Sequence, residues 1–202
     1  MTFAARVLGI DYNATGITAI KHTYAGVSTT TETIPSGTSQ VVIELWGAGS
    51  TGGAGTGTPD SGHGGGGGGA GGYCKKTLAL TSTDWGKTMT MVAQDSYPAY
   101  ARVSSGTKTI TSLYAYQGNH GNNASTTTVG TGGTGGTASG GDTNTTGANG
   151  SSGTTDPLGG AGGTGTTGTN GGPYGTGGNG QSNNGGIKSA GRTKGGYVFY
   201  YT

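Results

Sequence analysis

The chain has 202 residues, of which 50 are glycine, 29% are hydrophobic and 9% are charged, with a formal net charge of +2. That composition excludes an ordinary globular core spread along the chain, and the charge is too small for a nucleic-acid footprint; no basic cluster exceeds Lys75-Lys76. The single cysteine, Cys74, excludes an internal disulfide or a cysteine metal site, and no stretch approaches the ~20 apolar residues of a membrane-spanning helix.

Residues 1–23 are of mixed polarity. Phe3 to Ile10 and Ile17 to His22 read as two short strands around a turn at Asn13 to Gly16. This piece is expected to be an N-terminal attachment arm, with a strand pair of the main domain as the alternative. Met1 to Ala14 lack the basic-then-apolar pattern of a secretory leader. From residue 24 to 202 one domain is expected. Its strands are Ser28 to Ile34, Val41 to Trp46, Tyr73 to Leu80, Thr88 to Gln94, Ala99 to Val103, Thr107 to Tyr116 and Gly196 to Tyr201, rich in Val, Ile, Thr and Tyr. Turn residues separate them at Pro35-Ser36-Gly37, Asp84-Trp85-Gly86 and Ser104-Ser105-Gly106. No segment has a helical period with caps, so the expected fold class is all-β, a β-sandwich. Two glycine-rich segments, 47–72 and 118–195, are insertions, because the last strand follows the second of them.

Within the second insertion, glycine occupies 14 of the 19 positions spaced three apart from Gly132 to Gly186; Ala138, Asn144, Asp156, Tyr174 and Asn183 interrupt it. The phase one residue earlier, from Thr131 to Gly185, holds nine threonines and two glycines. A linker has no reason to segregate the two residue types. A backbone with three residues per turn does, since one edge must stay bare for close approach. With only Pro157 and Pro173 in the run, collagen is excluded. The expectation is a bundle of antiparallel polyglycine II helices, with turns at Asp142 to Asn144, Asp156-Pro157, Pro173-Tyr174 and Asn183-Asn184.

The run Thr31-Glu-Thr-Ile-Pro-Ser-Gly-Thr-Ser-Gln-Val-Val-Ile-Glu-Leu-Trp-Gly-Ala-Gly49 and the polyglycine that follows resemble the opening of the glycine-rich domain of bacteriophage tail and fibre proteins. Gly71 to Leu80 and Gly195 to Tyr201 resemble that family's next and closing strands, so the resemblance covers roughly residues 24–202. It implies a non-enzymatic virion protein, assembled in the host cytoplasm, that acts as a fibre or spike tip touching the host surface. The alternative is a capsid or tail decoration with a structural role, and more remotely an ice-binding protein suggested by the threonine phase. The implied partners are other virion proteins through residues 1–23, copies of the same chain in a homo-oligomeric assembly, and a host glycan or outer-membrane protein. Nucleic acid and membrane insertion are not implied.

The sequence offers no chemistry against that. Gly-x-Gly-x-x-Gly matches are guaranteed by polyglycine, and Gly86-Lys87-Thr88 lacks the first glycine of a P-loop, the position being Thr81. The carboxylates are scattered, the three histidines lack metal-ligand spacing, and no enzyme, cofactor or metal is expected. Recognition by surface loops remains. The candidate receptor contacts are Asp60, His63, Tyr116, His120, Asp156, Leu158, Tyr174 and Asn183. Tyr116 and Tyr174 suit stacking on sugar faces or, alternatively, capping the bundle ends.

Overall fold

Strands form where β-branched and aromatic residues cluster between turn residues. In the computed structural model they are β1 (Val7–Tyr12), β2 (Thr18–Ala25), β3 (Thr29–Thr33), β4 (Gln40–Trp46), β5 (Tyr73–Ala79), β6 (Thr88–Ala93), β7 (Tyr100–Ser105), β8 (Leu113–Tyr116), β9 (Ala138–Ser139), β10 (Thr143–Thr145) and β11 (Gly196–Tyr201). The structure describes residues 7–12, 18–25, 29–57, 62–93, 100–105, 112–155, 159–165, 168–169, 175–181 and 195–202, and no helix occurs among them. The fold is all-β.

The strands make two antiparallel sheets, ordered β1-β2-β11-β4-β5-β10 and β3-β6-β7-β8-β9. Alternation along β4 turns Val41, Ile43 and Leu45 to one face, where they join Tyr197, Phe199 and Tyr201 of β11 and Cys74 of β5. The same cluster takes Met89 and Met91 from β6 and Leu113 and Ala115 from β8, so both sheets contribute to one core. Each large side chain buried there contributes ~1.5–3 kcal/mol. The opposite face of β4 is covered too. Glu44 and Trp46 are fully buried, and Trp46 packs with Tyr73 and Val198 beneath Gly168.

The expected division after residue 23 falls inside β2. Strand β2 pairs with β11 along its length (Phe199 opposite His22) and β1 pairs with β2, so both are strands of the six-stranded sheet. His22 meets Glu32 of β3 in a buried hydrogen-bonded pair, and Tyr201 Oη donates to the same carboxylate at 3.2 Å. Buried polar groups require such partners, and this set ties the two sheets together. A second difference lies at 138–145, inside the expected insertion. The turn expected at Asp142 to Asn144 starts earlier, bending at Gly140 (φ 85°), Gly141 and Asp142. Asp142 instead accepts from Lys76 Nζ (2.5 Å) and the Thr77 amide (2.8 Å), seating Thr143–Thr145 against β5. Of the expected strand Thr107 to Tyr116, residues 113–116 are strand, and 107–111 lie outside the described residues.

Between strands the chain runs as seven extended rods: rod 1 (47–57), rod 2 (62–72), rod 3 (117–124), rod 4 (128–137), rod 5 (146–154), rod 6 (159–165) and rod 7 (175–181). Rod 2 lies in the middle. Its amides donate in rotation to rods 5, 7 and 3: Gly64 to Thr154, Gly65 to Gln181, Gly66 to Asn122, then Gly67 to Ser151, Gly68 to Gly178, Gly69 to Asn119. Its carbonyls accept in rotation from rods 4, 6 and 1, as in Gly133 to Gly67, Gly163 to Gly68 and Ser50 to Gly69. The partner changes at every residue and recurs at every third. Rods 3, 5 and 7 also donate to their neighbours on the rim, for example Gly150 to Gly133 and Gly180 to Gly160. This network satisfies the backbone groups that burial would otherwise leave unpaired.

Candidate functional site at the far end of the bundle

Close approach of the rods depends on missing side chains. A Cβ on Gly67 would lie 2.0 Å from the Ala161 carbonyl oxygen, on Gly69 2.0 Å from that of Thr134, and on Gly66 1.9 Å from that of Thr131. On the rim, polar side chains take up amides that have no backbone acceptor. Asn149 Oδ1 accepts from Gly135, Asn179 Oδ1 from Gly162 and Asn123 Oδ1 from Ala54, each at 2.8 Å. The result is a rod assembly held by directional bonds, a rigid base for whatever joins the rods.

Gly72 of rod 2 leads into β5, so the Gly64 end lies away from the sheets, ~25 Å off at a rise of ~3.1 Å per residue. Rods 4 and 6 run parallel to rod 2, and rods 1, 3, 5 and 7 run opposite to it. The ends of rods 1, 3, 5 and 7 and the starts of rods 2, 4 and 6 are therefore gathered at the far end. In the connection between rods 3 and 4, the Ser125 hydroxyl accepts from the Thr128 amide at 3.0 Å. Where rod 1 meets rod 2, Thr56 and His63 exchange backbone hydrogen bonds of 3.0 and 2.8 Å. His63 Nδ1 and Gln181 Oε1 are buried at this end without a hydrogen-bond partner among the described residues.

Of the expected contact residues, His63, Tyr116 and His120 are described, and they sit at three separate places along the bundle. His63 is at the far end. Asp60, Asp156, Leu158 and Asn183 lie outside the described residues, but their neighbours His63, Thr154 and Gln181 belong to that end. Tyr174 also lies outside the described residues. Its neighbours sit at the sheet end: the Thr169 amide donates to Glu44 Oε1 at 2.7 Å, and the Gly175 carbonyl accepts from Gly71. Tyr116 closes β8 at the sheet end and is exposed. His120 lies midway along rod 3, its Nδ1 2.9 Å from Ser50 Oγ and 2.6 Å from Thr51 Oγ1, tying rod 3 to rod 1. Ser50 is fully buried, so that serine–imidazole pair is closed to a substrate.

Sequence reasoning missed the carboxylate beneath the sheet-end crossing. Glu44 accepts from Tyr73 Oη at 2.5 Å as well as from Thr169, and burial followed by this hydrogen bond pushes the Tyr73 phenol above its ordinary range. One signal was available: a lone glutamate within Val41-Val-Ile-Glu-Leu-Trp46, a strand apolar on both faces. The His22–Glu32 pair had no sequence signal, because its members come from different sheets. Among the described residues no group of three or more His, Cys, Asp and Glu side chains is placed to hold a metal ion. What this end can do chemically is hydrogen-bond and exclude water. No protein-family model matches the chain, and no curated protein sequence matches it.

Proposed function

We propose that this chain is a bacteriophage virion protein, the tip module of a tail fibre or spike, which touches the host surface through the loops at the far end of its bundle. In this reading the two sheets are a β-sandwich and the rods a polyglycine II bundle that stiffens the loops, lowering the ordering cost of binding. The observation that carries it is the gathering of rod ends on one side of the bundle, on hydrogen-bonded rods, ~25 Å from the sheets. The resemblance of residues 24–202 to the glycine-rich domain of phage tail and fibre proteins supports the same reading. The protein is then non-enzymatic and cofactor-free, joins the virion in the host cytoplasm, meets other virion proteins through residues 1–23, and is part of a homo-oligomeric assembly.

The test exchanges residues 58–61 and 156–158 for Gly-Ser segments of equal length in assembled virions. Adsorption to the host is expected to fall while virion yield is unchanged. Adsorption at the parental rate refutes the adhesin reading, and a copy number following capsid symmetry in electron micrographs replaces it with a decoration role.

A further inference from the structure

A strip along the side of the molecule, running from β8 toward the far end, has its own binding chemistry. Strand β8 turns Leu113 and Ala115 into the core and Tyr114 and Tyr116 outward. The two tyrosine rings are parallel within 10°, with centroids 5.9 Å apart, and Tyr116 is 38% exposed. Such paired rings offer large contact area at small entropic cost. Rod 3 continues β8 and rod 4 runs beside it, so the strip extends along the bundle as a ladder. Asn119 Nδ2 donates to Thr134 Oγ1 at 2.5 Å and Asn122 Nδ2 to Thr131 Oγ1 at 2.6 Å, all four residues being exposed. The rungs recur every third residue, about 9 Å apart, close to the two-sugar repeat of an extended glycan. Among the described residues each asparagine keeps its carbonyl oxygen and a second N–H, and each threonine its O–H, for a ligand.

We propose that this strip binds a linear saccharide, a sugar face stacking on Tyr116 and Tyr114 and the following sugars hydrogen-bonding to the asparagine–threonine ladder. Ser112, Tyr114, Tyr116, Asn119, Asn122, Thr131, Thr134, Thr137 and Ser139 carry no charge, which suits polyhydroxyl chains and does not select phosphate. Acidic sugars are included in the test. The inference does not rest on the far-end loops.

The full chain is titrated calorimetrically with a panel of linear glucose-, mannose-, galactose- and N-acetylglucosamine-based oligosaccharides and with uronic-acid oligosaccharides. Longer members are expected to bind more tightly than short ones. Tyr116→Ala is expected to weaken binding about tenfold. Asn122→Ala weakens long oligosaccharides and leaves the shortest unchanged. Trp85→Ala, at an exposed aromatic elsewhere, and replacement of residues 58–61 leave binding intact. Binding by no member of the panel, or unchanged binding in Tyr116→Ala, overturns the proposal. Thermal hysteresis without saccharide binding also overturns it, assigning the strip to ice.

Discussion

Gly67→Ala is the sharpest test of the rod assembly, because its backbone conformation is ordinary and only the neighbours oppose it. The added Cβ would sit 2.0 Å from the Ala161 oxygen and 2.4 Å from its carbonyl carbon, where ordinary contact begins at 3.4 Å. Rod 6 must therefore retreat by more than an ångström, yet it is held by Gly160 to Gly65 (2.8 Å), Gly163 to Gly68 (2.9 Å) and Ser151 to Ala161 (2.9 Å). Stretching those bonds removes ~0.5–1.5 kcal/mol each and leaves buried groups unpaired at ~1–3 kcal/mol each. Relief of unfolded-chain entropy returns only ~0.4–1 kcal/mol. The expected loss is ~3–6 kcal/mol, a large part of the ~5–15 kcal/mol typical of a domain. Gly37→Ala is the control: φ there is +86° with no atom within 4 Å, so only the left-handed backbone opposes it, at ~1–2 kcal/mol. The one Cβ already in this stretch of rod 2 belongs to Ala70, nearer the sheets than the last bond from rod 6, so Ala70→Gly should cost far less. Urea unfolding followed by fluorescence of the buried Trp46 measures all three. Gly67→Ala within about 1 kcal/mol of wild type, or more stable than Gly37→Ala, refutes the packing argument.

Three further outcomes follow from the buried polar groups. Glu32→Ala leaves the buried His22 and Tyr201 without their shared acceptor, and the melting temperature should drop by the equivalent of ~3–5 kcal/mol, as for other broken buried pairs; a drop worth less than 1 kcal/mol would show the pair to be dispensable. Because the folded Tyr73 phenol titrates above its unfolded value, the neutral form contributes stability that is intact below about pH 10 and falls as pH rises beyond it. Tyr73→Phe should therefore flatten the alkaline limb of the stability–pH curve relative to wild type. Burial pushes the Cys74 thiol up to about 11 and its sulfur is covered, so iodoacetamide at pH 8 should modify it only after unfolding; labelling of the native protein at the unfolded rate would contradict that burial.

Much of the sheet framework was legible because each strand carries its own signal. Val41 to Trp46, Tyr73 to Leu80 and Gly196 to Tyr201 are dense in β-forming residues and bounded by glycine, and they appear as β4, β5 and β11 within one residue. β9 and β10 were not legible. Ala138-Ser139 and Thr143-Asn-Thr145 are too short to carry a period, and they are strands because β8 and β5 offer partners. The same limit hid the contacts made by Glu32 and Glu44, which depend on which sheets and crossings come together. For the candidate site, the three-residue beat marked the stretch from 132 to 186 that holds most of rods 4 to 7, but not their ends: breaks in glycine spacing mark chain reversals without saying which end of the bundle holds them. Tyr174 and Asp156 are breaks of the same kind in the beat, yet their described neighbours lie at opposite ends.

The beat carries more information than its period. Over 64–72 rod 2, walled on every side, is glycine throughout apart from Ala70. Rod 4 donates inward to rod 2, and two of its three phases then aim at flanking rods, Gly133 at Asn119 and Gly132 at Gly150, so its repeat is Gly-Gly-Thr with threonine facing solvent. Rod 5 accepts from rod 2, and only one phase aims inward, Gly150 at Gly67. Its other two phases are free to be Ala148, Asn149, Ser151 and Ser152, and Asn149 and Ser152 take the amides of Gly135 and Gly132 that rod 4 cannot pair for itself. In rods 2, 4 and 5 the glycines per turn thus count the phases whose Cβ would meet a neighbouring backbone: three in the middle, two in rod 4, which donates inward, and one in rod 5, which accepts. The polarity of the backbone hydrogen bond fixes where each Cβ points, and the composition of each rod follows from it.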